Sequence, residues 1–465
     1  MNKGLLALIL AAGKGTRFKS DTIKVLHPLM GKTMLHLVVE TIQKLNPDQV
    51  HVVVGYQRER VKKQPFSPHV QFVVQEEQLG TAHAVQAVQE VLEEKKDKDL
   101  LIINADLPLL RPETLQLLLN QHRNDRNSLT FLTTESNRPG GFGRVIRTED
   151  NLLRVVEEKE ATLSQKKRKE INVGVYVVRI RDLLQALPKI SNRNRKGEYY
   201  LTDMIEIMSR EKKRVNFYRT PQVDEVVGVN DRSELARAVD ILRWRKVQSL
   251  YEKGVTLYDP SSTWIDLDVE IGVDSVLYNS VVIEGNSAIG KSCTFYPFVH
   301  MVDTRVGNDV KILTSTVIEG STIHDHAQVG PFTHLRPQTV IREGAKVGNF
   351  VEMKKTVFGK KSKAGHLSYL GDSEIEEEVN IGAGTITCNY DGIKKHRTHI
   401  GKGAFIGSGT ELVAPVKVGR GSYLGAGSTI TKDVSSDSLA VARGRQVEKS
   451  GWAKRKKEKE KKNKE

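Results

Sequence analysis

Cysteine is scarce: 465 residues contain two, Cys293 and Cys388, with no C-x-x-C pair. That excludes a disulfide framework and a zinc ribbon, and it fits a reducing cytoplasm. Long apolar runs are missing too. The run Leu5–Ala12 falls far short of the about 20 residues a membrane helix needs. It also lacks the basic leader, longer core and cleavage site of a signal peptide, so it predicts a buried strand. At 38% hydrophobic and 28% charged, the composition suits a folded protein and not wholesale disorder. The length implies two or more domains. Lys and Arg exceed Asp and Glu by 15, which favours acidic or phosphorylated ligands without naming one.

Glycine is unevenly spread, with 12 of 37 before residue 254, so two architectures share the chain. Residues 1–232 alternate β-rich runs (Leu5–Leu10, Val50–Val54, Val70–Val74, Leu100–Ile103, Ser128–Thr133, Asn172–Val178) with helical stretches such as Met34–Leu45. This predicts an α/β domain with a doubly wound, Rossmann-like sheet, whose ligands bind beyond the carboxyl ends of the strands. Residues 233–253 have no Pro, no Gly and apolar residues near helical spacing, predicting one linker helix. From 254 to 450 the period becomes six, as in Ile271, Leu277, Ile283 and Ile289, or Ile400, Ile406, Leu412, Val418, Leu424 and Ile430. One aliphatic residue per hexapeptide predicts a parallel β-helix, with three repeats to each triangular coil. Breaks in the period at 348–375 and 382–399 predict loops leaving the coil. The tail 451–465 carries eight Lys/Arg against three Glu and is expected to lack regular structure.

Directly after the first strand comes Leu10-Ala11-Ala12-Gly13-Lys14-Gly15-Thr16-Arg17. Small residues let a ligand approach the backbone, loop N–H groups can hold phosphate oxygens, and Arg17 can clamp a phosphate. A plain strand-to-helix turn would look much the same. The loop is neither a Rossmann G-x-G-x-x-G nor a P-loop. Asp106, at a strand end, could hold Mg²⁺ against a triphosphate, or merely start an Asp-Leu-Pro turn.

Together with Lys24-Val25-Leu26, this loop resembles the G-x-G-T-R…P-K signature of sugar-phosphate nucleotidyltransferases, with Ile23 where those enzymes have proline. The resemblance extends in order through Gln75, Gly80-Thr81-Ala82-His83, Asp106, Gly143, Glu157, Asn172 and Asn230. It implies that Leu10, Ala11, Ala12, Gly13, Lys24, Gln75, Gly80, Thr81, Asn104, Ala105, Asp106, Gly143, Glu157, Asn172 and Asn230 bind UTP or the sugar nucleotide. Asp106 and Asn230 would share Mg²⁺. Asn104 and Ala105 stand where an aromatic residue and a glycine are usual. The chemistry is in-line attack by a sugar 1-phosphate on the α-phosphorus of a nucleoside triphosphate. It needs positioning and charge neutralisation, which Arg17 and Lys24 can supply, more than a protein nucleophile.

In the second half stand Leu335-Arg336-Pro337, Glu352-Met353-Lys354-Lys355, Ala364-Gly365-His366-Leu367-Ser368-Tyr369, Asn380-Ile381-Gly382-Ala383-Gly384-Thr385 and Cys388-Asn389-Tyr390-Asp391-Gly392. Acyl transfer from a thioester to an amine needs a base near neutral pH, and His366 suits; Arg336 and Lys354 could hold a sugar phosphate, and Glu352 could orient the imidazole. From about Leu5 to Arg443 the chain resembles the bifunctional bacterial N-acetylglucosamine-1-phosphate uridyltransferases/glucosamine-1-phosphate acetyltransferases. The resemblance implies a left-handed β-helix, a homotrimer, and acetyl-CoA and UTP as co-substrates with Mg²⁺. It makes His366 the base, places Arg336, Lys354, Tyr369 and Asn380 on glucosamine 1-phosphate, and puts Ala383, Asn389, Tyr390, Ser408, Ala426 and Arg443 at acetyl-CoA. Cys388 reads as a packing residue. The alternative is a single-activity nucleotidyltransferase whose β-helix is a structural rod. Nucleic acid is not an expected partner, because the tail mixes Lys with Glu and has no interleaved aromatics.

Overall fold

The computed structural model describes residues 4–137, 139–148 and 152–463. By internal contacts it divides into two units, Met1–Arg245 and Lys246–Glu465, the division falling within one helix, Arg232–Glu252.

The first unit is built on a mixed sheet. Its strand order is Val215–Arg219, Leu129–Glu135, Glu170–Arg179, Asp99–Asn104, Leu5–Leu10, Gln49–Val54, Val70–Val74. All neighbours run parallel except Glu170–Arg179, which is antiparallel to both of its flanking strands. The first strand is apolar on both sides because both faces are covered. Leu5, Ala7 and Ile9 pack with Leu35, Val38 and Leu118 on one face, while Leu6 and Leu8 pack with Val85, Leu183 and Met204 on the other. Strand Glu170–Arg179 is irregular between Asn172 and Tyr176, where Gly174 takes a φ of +86°.

The second unit coils into three parallel sheets of 11, 10 and 9 short strands. The six-residue period becomes a column of side chains. Ile283, Met301, Ile318, Leu335, Met353 and Leu370 stand in register in successive coils, each with no exposed surface. In the next coil Thr387 takes this inward place, its hydroxyl accepting from Gly371 N at 2.7 Å.

Two expectations are corrected. Residues 348–375 do not leave the coil, since paired strands continue through them from Lys346–Asn349 to Ser373–Ile375. The period slips there because Met353 to Phe358 and Leu370 to Ile375 are spaced five apart, shortening one corner of the triangle. A loop does leave between Ile386–Cys388 and Thr398–Ile400. The tail, expected to lack regular structure, is helical over Trp452–Lys462. Its Ala, Arg, Lys and Glu residues are strong helix formers, and no Gly or Pro interrupts them.

Candidate functional site

Strand Leu5–Leu10 lies mid-sheet between Asp99–Asn104 and Gln49–Val54, and its chain turns at the crevice where open α/β sheets hold ligands. Leu10, Ala11, Ala12 and Gly13 line a cavity of about 630 Å³ there, with Lys24, Gln75, Gly80, Thr81, Asn104, Ala105 and Asp106. A second cavity of about 250 Å³ shares Leu10, Thr81, Asn104 and Asp106 with the first and adds Arg17, Gly143, Glu157, Asn172 and Asn230. Every candidate of this half therefore lies on one of two adjoining cavities.

Gly15 has φ +61°, and a Cβ on it would stand 2.6 Å from Lys24 Cβ. The missing side chain lets the loop after the first strand close on Lys24. Gly13 has open space around it, so its value there is an uncovered backbone. Lys24 Nζ lies 2.7 Å from Asp106 Oδ2 and 3.1 Å from Asn230 Oδ1, and Arg17 Nη2 is 2.9 Å from that same amide oxygen. Two hard oxygens thus converge within reach of one small cation. That suits Mg²⁺, which takes one or two protein ligands and fills its shell with phosphate and water. Among the described residues, no cluster of three or more His, Cys, Asp or Glu could hold a metal. Ile23 keeps a φ of −58° and is 1% exposed. That φ is the value proline would impose, so here burial holds the loop that proline would otherwise stiffen.

Gln75 is a buried amide. Its Nε2 donates to Gly80 O at 3.2 Å and lies 3.0 Å from His83 Nδ1. Gly80 has φ +119°, and a Cβ there would meet Tyr199 O at 2.5 Å. The Asn104 amide stands where a Cβ on Gly174 would meet it at 2.5 Å, so the bulge accommodates the asparagine. Around the second cavity, Thr202 donates its hydroxyl proton to Glu157 Oε1 at 3.0 Å, and Asn172 Nδ2 donates to Tyr176 Oη at 2.8 Å. Burial raises Glu157 above the usual carboxylate range and pushes the Tyr176 phenol up. The sequence reading missed Gly174 and Thr202. A glycine inside a β-rich run was the available signal for the first; nothing local marked the second.

In the coil, register does the assembling. Lys363 pairs with Asn380 and Phe405 with Tyr423, which carries His366, Ala383, Ser408 and Ala426 down one corner through successive coils. Gly409 N donates to Ala383 O at 2.7 Å and Gly427 N to Ser408 O at 2.8 Å along this corner. Arg443 closes it, donating to Ala426 O at 2.7 Å. Arg336 and Lys354 occupy matching positions on another sheet, Arg336 N bonding Met353 O at 2.8 Å. The Arg336 guanidinium donates to Glu352 at 2.9 Å; Glu352 therefore engages Arg336, and no bond joins it to His366 among the described residues. Tyr369 and Asn389 both crowd Gly371, where a Cβ would meet Tyr369 Oη at 2.5 Å and Asn389 Nδ2 at 2.8 Å. Tyr390, in the loop that leaves the coil, is exposed and donates its hydroxyl to Gly392 O at 2.7 Å. Lys395, in the same loop, was not singled out from sequence. Its ammonium, with Arg336, holds Lys354 below the usual lysine range, and such crowding of cations favours an anion between them. Burial raises the Cys388 thiol, consistent with a packing role.

No helix among the described residues is long and apolar enough to cross a membrane. Residues 7–204 match the MobA-like NTP transferase domain, and 397–432 match the bacterial transferase hexapeptide family of six repeats. The bifunctional protein GlmU of Fervidobacterium nodosum is 47% identical over 97% of each chain. That of Thermotoga maritima is 46% identical over 98% of this chain and all of its own, and that of Clostridium beijerinckii 44% over 97% and 98%. These relatives span both halves, which sets aside the single-activity alternative. With an α/β nucleotidyltransferase unit followed by a left-handed β-helix, this chain belongs to the bifunctional GlmU family, uridyltransferase in its first half and acetyltransferase in its second.

Proposed function

We propose that the two candidate sites act in sequence, with the repeat half acetylating glucosamine 1-phosphate from acetyl-CoA and the α/β half joining the product to UTP. The observation that carries the reading is the convergence of Arg17, Lys24, Asp106 and Asn230, the outer two 213 residues apart.

In the repeat half, the amine nitrogen attacks the thioester carbonyl, His366 takes the ammonium proton, and the C–S bond breaks with its electron pair leaving on the coenzyme sulfur. Arg336 and Lys354 fix the sugar's phosphate, with Tyr369 and Asn380 on the ring. The corner column of Ala383, Ser408 and Ala426 is small-sided, so an extended coenzyme can lie along it from His366 toward Arg443, with Asn389 and Tyr390 beside it. A site built on open faces suits a homotrimer, in which neighbouring coils would enclose it. In the α/β half, a phosphate oxygen of N-acetylglucosamine 1-phosphate attacks the α-phosphorus of UTP in line, and pyrophosphate leaves with the bonding pair. Arg17 and Lys24 neutralise the developing charge. The buried amide of Gln75 and the Gly80–Thr81 backbone read the base, while Gly143, Glu157 and Asn172 hold the sugar. Mg²⁺, held by Asp106 and Asn230, would draw charge from the phosphates. Two unpaired cysteines, Cys293 and Cys388, fit a cytoplasmic setting.

Product analysis with glucosamine 1-phosphate, acetyl-CoA, UTP and Mg²⁺, omitting one at a time, tests the order. Thiol release without UTP, and UDP-N-acetylglucosamine only from the complete mixture, are expected. Thiol release that requires UTP would overturn it.

A further inference from the structure

Among the described residues Arg144 is the largest fully buried side chain, 1% exposed, although arginine is among the residues least often buried. It lines neither cavity. It follows Gly143 on strand Gly143–Arg147, so its side chain points away from the face that Gly143 offers to the second cavity. Its guanidinium reaches back to the residue that precedes its own strand and across to two other segments. Nη2 forms an ion pair with Glu158 Oε2 at 2.6 Å, without hydrogen-bond geometry, and donates to Lys166 O at 3.5 Å; Nη1 donates to Phe142 O, and Nε has no hydrogen-bond partner among the described residues. Arg144 pairs with Val156 across one strand and with Ile171 across the other, and beside it Gly143 pairs with Asn172. The groups on the cavity side, Gly143, Glu157 and Asn172, are therefore each adjacent to Arg144 or to one of its partners. A Cβ on Gly143 would stand 3.7 Å from Glu157 Oε1, so the carboxylate and the glycine form one continuous surface.

Desolvating a guanidinium and a carboxylate costs several kcal/mol per ion, and replacing such a pair by apolar groups is often neutral or stabilising. A fully buried guanidinium whose partner carboxylate keeps 31% of its exposure is thus poorly explained by stability. It is well explained by geometry, because a planar fork with fixed donors sets the separation of the segments it joins more closely than a flexible apolar contact would.

We propose that Arg144, paired with Glu158, is a positioning residue for the sugar-phosphate end of the α/β site. It ties the Phe142 carbonyl to the Glu158 turn and so sets Gly143 against Glu157, without touching the nucleotide end at Gln75 and Gly80. The inference rests on the uridylyl-transfer reading of this half.

The test compares Arg144→Met, Arg144→Lys and the double variant Arg144→Met/Glu158→Met in the full-length chain. Acetyl transfer by the second half normalises for the amount of enzyme, and the melting step of the α/β half is read alongside as the control for its fold. The KM for N-acetylglucosamine 1-phosphate is expected to rise about tenfold or more in Arg144→Met while the KM for UTP stays within about twofold, since small misplacements of binding groups cost that much. Arg144→Lys should recover part of the loss. The double variant, free of unpaired buried charge, should melt close to the parent yet keep the raised sugar-phosphate KM. A double variant with the parent's sugar-phosphate KM, or equal rises in both KM values, would overturn the proposal. Lack of uridylyl transfer by the parent chain would instead overturn the reading on which it rests.

Discussion

The two halves assemble their candidate sites in opposite ways. In the α/β half, residues as far apart as Arg17 and Asn230 are brought to a shared pair of cavities, and much of what holds them is buried, such as Gln75 at 3% and Asn172 at 7% exposed. In the repeat half, successive coils present candidates on an outer surface, where Arg336 keeps 41% and Glu352 39% of their side-chain exposure. Tertiary packing makes the first site, and one repeated register makes the second. The first should be brittle to backbone changes, and the second should lose function one contact at a time.

The largest effect is expected from Lys24→Ala, which removes the ammonium lying between Asp106 and Asn230. Uridylyl transfer should fall by about 10²–10³-fold, the usual loss for one preorganised charge-stabilising donor, with acetyl transfer unchanged in the same preparation. In the repeat half, Arg336→Ala should raise the KM for glucosamine 1-phosphate by about ten- to a hundredfold, as expected from a charge-assisted bond worth about 1.5–3 kcal/mol. The KM for acetyl-CoA should move little, and equal shifts in the two would remove the assignment. Gly80→Ala probes brittleness. With φ +119°, ψ 177° and Tyr199 O at 2.5 Å from the added carbon, it should destabilise the α/β half by about 1–3 kcal/mol, seen as an earlier melting step and a raised KM for UTP.

The smallest effect concerns Asp203, whose carboxyl is pushed up to about 6 by burial and by Glu157 and Glu206. The folded chain then holds a proton that the unfolded chain has already lost, so the group's stabilising contribution is full at low pH and lost as pH rises through 6. Asp203→Asn should therefore raise the melting temperature at pH 7.5, by the equivalent of about 1–2 kcal/mol, and the gain should narrow toward pH 4.5. A gain that does not change with pH would assign the effect to packing.

How much could be read in advance follows from the same contrast. Ile283 and Ile318 announce the coil because an inward position recurs every sixth residue, and Ala383 and Ser408 are matched by register alone. The slip at Met353–Phe358 misled because a lost corner residue looks, in one dimension, like a departing loop. In the α/β half the glycine loop Gly13-Lys14-Gly15 and Asp106 follow strands, where ligands are expected. Thr202 bonded to Glu157 depends on a partner far along the chain, and no local pattern encodes it; Gly174 was marked only as a glycine inside a β-rich run, and that Asn104 is what it yields to could not be read locally. Lys395 was hidden differently, inside a loop recognised as a loop whose neighbour in space was unknown. Ile23 shows that a departure from a motif can preserve its backbone, since burial keeps the φ that proline would fix.

The central claim is that one chain carries two independent sites, and it is tested most directly by assaying both activities in Asp106→Ala and in His366→Ala. Asp106→Ala should lose uridylyl transfer and keep acetyl transfer within about twofold, and His366→Ala should do the reverse, with a loss of about 10²–10⁴-fold from removal of a general base. Loss of both activities in either folded variant would contradict it.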